Sequence, residues 1–341
     1  MDTHRKFVTE EMDMITRRSF SAGALALTMM PLIAKAQQAG TIPRIGVLWH
    51  DASAEAEGPY FTGLIEGFKN LGYVDGRNIK FEHRFPNEKP ELFASMAAEL
   101  VALKVDALVG VGASSSQHVK DATASIPVIF MYVPDPVATK FVASLGRPGG
   151  NATGLTNTAV ELTGKRLQFL KELVPGLTRT AVLVNPSAKV SGLYVGEAKE
   201  AAAKLGLTLQ IFEARSPGEL EGAFNAMSKA RMQALSISPE GLFFQQRAAI
   251  AALALARRLP TCVWSKETVE AGALISYGPD QIAIARRVAV FADKIIKGTK
   301  PADIPMEQPT KFDLGINMKT AKALGVKFPQ SILVQATTVI E

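Results

Sequence analysis

Short apolar runs rich in β-branched residues alternate along this chain with amphipathic stretches of roughly 10 to 18 residues. The spacing predicts strands at Ile45–Trp49, Ile79–His83, Ala107–Val111 and Val128–Tyr132. Between and after them it predicts helices at Pro59–Leu71, Leu92–Leu103, Ser115–Ala124 and Val137–Leu145, the first ended by Gly72. Such alternation belongs to parallel sheets whose strands are joined by crossover helices.

The same order then recurs. "IGVLWH" has a partner in "TAVLVNPS", and "LGYVDGRNIKFEHR" in "LGLTLQIFEAR". "VDALVGVGASSSQ" pairs with "MQALSISPEGLFFQQ", "IPVIFMYVPD" with "LPTCVWSKE", and "NATGLT" with "GALISYG". Five matched segments in one order argue for two similar α/β lobes, near 43–155 and 178–277. The expected fold class is α/β, with two similar doubly wound parallel-sheet lobes around a ligand cleft. As domains, 37–155 is lobe one, 156–277 is lobe two, and 278–341 is a return segment lying on one or both lobes. In that segment the pattern predicts a helix at Ile282–Ile296, a proline-broken extended stretch "PADIPMEQPTKFDLGIN", and a short helix at Met318–Leu324.

The opening of the chain has a different texture. Arg17 and Arg18 precede a short apolar run, Ala22 to Ala34, and Ala34-Lys35-Ala36 follows with small residues two apart. A positive start, a short apolar run and an A-x-A site describe a cleaved export signal over residues 1–36. The run falls short of the ~20 residues that a membrane span needs. "TRRSF" resembles a twin-arginine signal, with Ser21 where leucine is usual; an ordinary Sec signal is the alternative. The expected location is the periplasm.

Composition then narrows the partners. The chain has 341 residues and a formal charge of +6. Beyond residue 36 its 33 basic and 28 acidic side chains form no basic run longer than two, so nucleic acid is not an expected partner. Cys262 is the one cysteine, which rules out an intrachain disulfide and suits a small packing residue in the run Leu259 to Trp264. His4, His50, His83 and His118 lack metal-ligand spacing. No Ser-His-Asp order, nucleophile elbow or paired catalytic carboxylates stand out. A chain without metal or cofactor is therefore expected, while an acid–base pair assembled from distant residues stays open.

In open α/β sheets ligands bind beyond the carboxyl ends of strands. Those positions are His50-Asp51, Gly112 to Ser116 and Pro134-Asp135-Pro136 in lobe one, then Asn185 to Ser187, Ser238 to Glu240 and Ser265 to Glu267 in lobe two. In "GVGASSSQHVK", Ser114 or Ser115 can cap a helix whose free N–H groups would hold a carboxylate or phosphate. Asp135, set between two prolines, can pair with a substrate ammonium or close a turn. Tyr277 in "YGPD" can line the cleft, or that stretch can be a capping turn with Asp280 as the N-cap of the next helix. Trp49, Tyr60, Tyr132, Phe243 and Trp264 lie near strand ends and offer ring surface to a ligand or to the core. Gly110-x-Gly112-x-x-Ser115 with Asp135 further on is a near dinucleotide fingerprint, which keeps a secreted nucleotide-dependent enzyme as an alternative.

Taken together, "VDALVGVGASSSQ", "IPVIFMYVPDPVATKFVASLGRPGGNATGL", "GKRLQFLKELVPGLTR", "GALISYGPD" and "KPADIPMEQPTKFDLGINMKTAKALGVKFP" closely resemble the tryptophan/tyrosine-type ABC transporter substrate-binding protein family. The resemblance covers about residues 43–341. It implies a type I periplasmic-binding-protein fold, two lobes joined by three crossings, a small ligand, and delivery to a membrane permease by a monomer that is no enzyme. For an amino-acid-like ligand it points to Ser114 and Ser115 for the carboxylate and Asp135 for the ammonium. Asn185 and Ser238 would join from the facing lobe and Tyr277 from a crossing. Where relatives carry threonine-proline this chain has "ASSS", and Glu240 or Lys266 in lobe two could face the ligand and change its class. A ligand sensor of the same fold, presented to a receptor, is the other functional alternative.

Overall fold

The computed structural model describes residues 42–188 and 190–341; the expected export signal lies outside the described residues. Five strands form the first sheet: β1 (Arg44–Leu48), β2 (Lys80–Arg84), β3 (Ala107–Val111), β4 (Val128–Val133) and β5 (Ala152–Thr156). They are all parallel, in the order β2-β1-β3-β4-β5. β3, β4 and β5 are buried at every position. Helices cover such a sheet on both faces, which is why these strands read as continuous apolar runs with no alternation.

The second sheet begins with β6 (Arg179–Val184), β7 (Thr208–Glu213), β8 (Ala234–Ile237), β9 (Thr261–Val263) and β10 (Ile275–Pro279). Their order, β7-β6-β8-β9-β10, repeats that of the first sheet strand for strand. Two more strands, β11 (Phe312–Asn317) and β12 (Thr338–Ile340), extend it beyond β10. β11 runs antiparallel to β10. The polypeptide that looked like an extended return stretch thus completes the second sheet.

On its way there the chain visits the first lobe. The helix Gln281–Ile296 packs on the helix Pro59–Asn70. Two glycines permit that approach: a Cβ on Gly67 would sit 2.3 Å from the Arg286 carbonyl oxygen, and one on Gly63 would sit 3.2 Å from Ile282 Cγ2. Arg286 pairs with Glu66, and Tyr73 donates to Asp293 at 2.9 Å. Glu307 then bridges Leu155 at the edge of the first sheet before β11 returns to the second. The lobes are therefore joined by three crossings, after β5, after β10 and before β11.

Arg166, fully buried, ties the crossing after β5 to strand β10 of the second sheet. It donates to the Ala159 carbonyl at 2.5 Å and to the Tyr277 carbonyl at 3.2 Å.

Two local expectations differ from the structure. No helix forms over Val137–Leu145; the segment is a chain of turns, because Asp135 and Lys140 adopt positive φ (33° and 60°) that no α-helix continues through. The helix expected from Ser115 starts at Gly112, three residues earlier, with Val111 at its N-cap position and no serine cap. The Ser115 hydroxyl instead donates to the Trp49 carbonyl at 2.6 Å, and that of Ser116 to the Gly110 carbonyl at 2.8 Å.

Candidate functional site

A cavity of about 210 Å³ lies between the lobes, beyond the carboxyl ends of both sheets. One wall is the N-terminus of the helix Gly112–Ala122, presented by Gly112, Ala113 and Ser114. The first N–H groups of a helix have no partner within it and carry the positive end of its dipole, so this wall suits an anion. Aromatic rings form a second wall: Tyr60, Tyr132, Phe244 and Trp264 all line the space. Tyr60 stands 5.6 Å from Tyr132 and 5.1 Å from Phe244 between ring centres. The two tyrosine hydroxyls are engaged elsewhere: Tyr60 donates to Glu267 at 2.8 Å, and Tyr132 to the Gln281 carbonyl at 2.5 Å. What they leave for a ligand is ring surface.

The third wall is charged. His50 follows β1, Glu88 follows β2, and Glu240 follows β8 of the facing lobe. Beneath His50 lies Glu57, wholly buried, whose Oε1 accepts the N–H groups of His50 and Asp51 at 3.0 and 2.9 Å. His50 Nε2 is 3.4 Å from Glu57 Oε2, and its Nδ1 is 3.2 Å from Glu88 Oε1. Neither contact has hydrogen-bond alignment; both are ion pairs when the imidazole is protonated. Burial works against a charge on His50, but Glu57, Glu88 and Asp51 together outweigh it and raise its pKa to about 9. Across the cleft, burial and the charge of Glu88 push Glu240 up to about 8. Its Oε1 accepts from Asn185 Nδ2 at 2.7 Å, while its Oε2 is shut off from solvent and has no hydrogen-bond partner.

The lobes meet across the mouth of this cavity. Gln245 Nε2 donates to Asp51 Oδ1 at 2.9 Å and to Asn87 Oδ1 at 2.7 Å. The Glu88 carboxylate occupies the place of the side chain that Gly241 lacks: a Cβ there would be 1.9 Å from Oε1.

Of the residues singled out from sequence, Ser114 lines the cavity. Ser115, one position on, is turned into the protein and spends its hydroxyl on Trp49. Asp135 lies outside the lining: Pro134 faces the space, and the Asp135 carboxylate caps its own turn by accepting from the Ala138 N–H at 2.9 Å. Asn185 reaches the site through Glu240. Ser238 lines a smaller neighbouring cavity with Glu240 and Tyr194. Tyr277 is sandwiched between Phe169 and Phe312, away from the cleft. Asp280 is the N-cap of the helix Gln281–Ile296, accepting from the Ala283 N–H.

Among the ring candidates, Trp49 and Phe243 belong to the core, and Phe244 takes the cavity position. Lys266 points to Asp313 at 3.9 Å, outside the lining. Cys262 is fully buried in β9, where burial pushes its thiol up to about 12. Glu88, Gln117 and Asn157 were not singled out from sequence. The strand-end rule extends to Glu88 once β2 is included. It extends equally to Asn157, which directly follows β5, whereas Gln117 lies inside the helix after β3, beyond the reach of that rule.

Two repeated α/β lobes, three crossings and an interlobe cavity with a helix N-terminus in its wall are the architecture of a cleft-type small-molecule-binding protein. Comparison with known proteins makes the class specific. The chain belongs to the ABC transporter substrate binding protein family, which it matches over residues 45–340. It is 26% identical over 265 residues to a tyrosine-binding protein of Clostridioides difficile, covering 78% of this chain and 76% of that one. Among solved structures it resembles a conserved domain protein of Vibrio cholerae (26% identity, TM-score 0.83, 88% of this chain and 100% of that one). It also resembles an ABC domain from Streptococcus pneumoniae in complex with L-Trp (27% identity, TM-score 0.81, 88% and 100%). The fold is type I periplasmic-binding-protein-like, shared with sugar-binding and LacI-type neighbours. Among the described residues no helix is long and apolar enough to cross a membrane.

Proposed function

We propose that this chain is the solute-binding component of an ABC importer and that it captures an amino-acid-like or aromatic ligand. The observation that carries the reading is the interlobe cavity, with a free helix N-terminus, four aromatic rings and facing carboxyl groups on its walls. A ligand carboxylate would sit at Gly112 to Ser114, with Ser114 adding its hydroxyl. An aromatic side chain would lie among Tyr60, Tyr132, Phe244 and Trp264. Asn185 acts through Glu240, which it orients. Ser115, Asp135, Ser238 and Tyr277 serve the scaffold around the site.

In this reading the three crossings form a hinge. An open cleft admits the ligand, closure buries it, and a membrane permease recognises the closed form. The protein works as a monomer in the periplasm after removal of the leader at 1–36, and it catalyses nothing. The ligands named for two relatives, tyrosine and L-Trp, set the first compounds to try. Thermal unfolding in the presence of L-tryptophan, L-tyrosine and other amino acids tests the reading. A ligand at 100 times its Kd stabilises the folded state by about 2.7 kcal/mol. If none of these compounds raises the melting temperature, while the purified protein converts some substrate unaided, the reading is wrong.

A further inference from the structure

Glu240 is the unexplained group of the cleft. Glu88 is paired with His50, and His50 with Glu57, so the one cation of this cluster is already shared by two carboxylates of the first lobe. Glu240 comes from the other lobe and has no cation of its own. The groups that face it are Asn185 on the loop after β6, Glu88 on the loop after β2, and His50 after β1, with Glu57 and Asp51 behind His50. Asn185 satisfies one carboxyl oxygen; the other is unpartnered and out of reach of solvent, in a residue that lines both the interlobe cavity and the smaller one beside it. An unsatisfied buried carboxylate oxygen is costly, and two facing carboxylates do not both stay ionised without a cation between them.

We propose that Glu240 is the specificity-determining residue of the cleft, the acceptor of a cationic nitrogen on the ligand. The inference rests on the cleft being an amino-acid site and names the group that requires the amino function. Without a cationic partner the Glu240 carboxyl holds its proton at neutral pH, since burial opposes a negative charge there and Glu88 adds to the opposition. When a ligand ammonium arrives, that proton leaves to the solvent and an ammonium N–H donates to Oε2 in its place. One positive charge replaces another, and the carboxyl changes from a neutral wall to one half of an ion pair. The Asp135 carboxylate is spent on its own turn and does not compete for this role.

The test is calorimetric titration of L-tryptophan and of indole-3-propionate, the same ring and carboxylate without the amino group. Wild-type protein should prefer L-tryptophan by about 100-fold, the scale of one charge-assisted hydrogen bond in a dry site. In Glu240→Gln the preference should fall below about tenfold, and Glu240→Asp should recover part of it. Titration near pH 7 in two buffers of different ionisation enthalpy should show proton release by wild type and none by Glu240→Gln. A Glu240→Gln protein that unfolds at the wild-type temperature and keeps the full preference overturns the assignment, as does unchanged proton release. If wild type binds neither L-tryptophan nor L-tyrosine, it is the amino-acid reading of the cleft that fails, and the absence of any wild-type heat identifies that case.

Discussion

Gly241 should be a residue that the lobes need in order to meet, and Gly241→Ala isolates that need. It opens the short helix Gly241–Gln245 after β8, at the rim of the cleft. Its φ is not among the positive values, so alanine fits the local backbone and the second lobe should fold with it. The obstacle comes from the other lobe: an added Cβ would stand 1.9 Å from Glu88 Oε1, 2.9 Å from Glu88 Cδ and 3.2 Å from His50 Nδ1. Contacts under 3.0 Å do not persist, so either the Glu88 carboxylate leaves or the lobes stay apart. If the carboxylate leaves, its charge pair with His50 is lost, worth about 1–3 kcal/mol, between the scales of exposed and buried pairs. Ligand affinity should therefore fall by about 10- to 100-fold. The measurement is titration calorimetry with L-tryptophan on wild type, Gly241→Ala, Glu88→Ala and the double variant, alongside the radius of gyration by solution scattering. The loss from Gly241→Ala should be large with Glu88 present and small in the Glu88→Ala background, because the cycle removes the collision partner. Equal losses in both backgrounds, or wild-type affinity in Gly241→Ala, would refute the reasoning.

Gly67→Ala should loosen the helix Gln281–Ile296 from the first lobe, since its Cβ meets backbone at 2.3 Å and backbone cannot swing aside. Overpacking of this kind costs about 1–3 kcal/mol, only partly offset by the ~1 kcal/mol helix preference of alanine, and shows as a lowered melting temperature. Arg166→Met should cost about 2–4 kcal/mol in denaturant unfolding, because the Ala159 and Tyr277 carbonyls lose their donor; a methionine variant as stable as wild type would dissolve the idea of a hinge clamp. Stability should also fall with rising pH. The raised pKa of His50 means its contribution is whole below pH 6.5 and lost as pH passes about 9, and that of Glu240 is whole below 4.5 and lost as pH passes about 8. Calorimetric scans from pH 6.5 to 9 should thus show a declining melting temperature, less steep in His50→Gln; a flat wild-type profile would count against both assignments.

The legibility of the fold and of the site differ for a physical reason. Buried parallel strands need unbroken apolar runs, so β1, β3, β4, β6 and β8 stand out along the chain, and the repeated order announces two lobes. The missed helix at Val137–Leu145 had apolar spacing that positive φ at Asp135 and Lys140 overrules. The strand-end rule points to segments that line the interlobe cavity but does not separate neighbours within them. Ser114 faces the cavity and Ser115 the core, because consecutive residues of a helix point about 100° apart. Phe243 and Phe244 part for the same reason.

By itself, then, the sequence determined two α/β lobes of one design and a likeness to substrate-binding proteins. It did so because those properties follow from local periodicity and from segments that repeat. Only the tertiary structure decided that β11 and β12 complete the second sheet and that the helix Gln281–Ile296 belongs against the first lobe. It alone placed Glu88 against Gly241 and left one oxygen of Glu240 without a partner. Those facts depend on residues about 150 positions apart meeting across a cleft. No pattern along the chain encodes the distance between two carboxyl groups that come from different lobes.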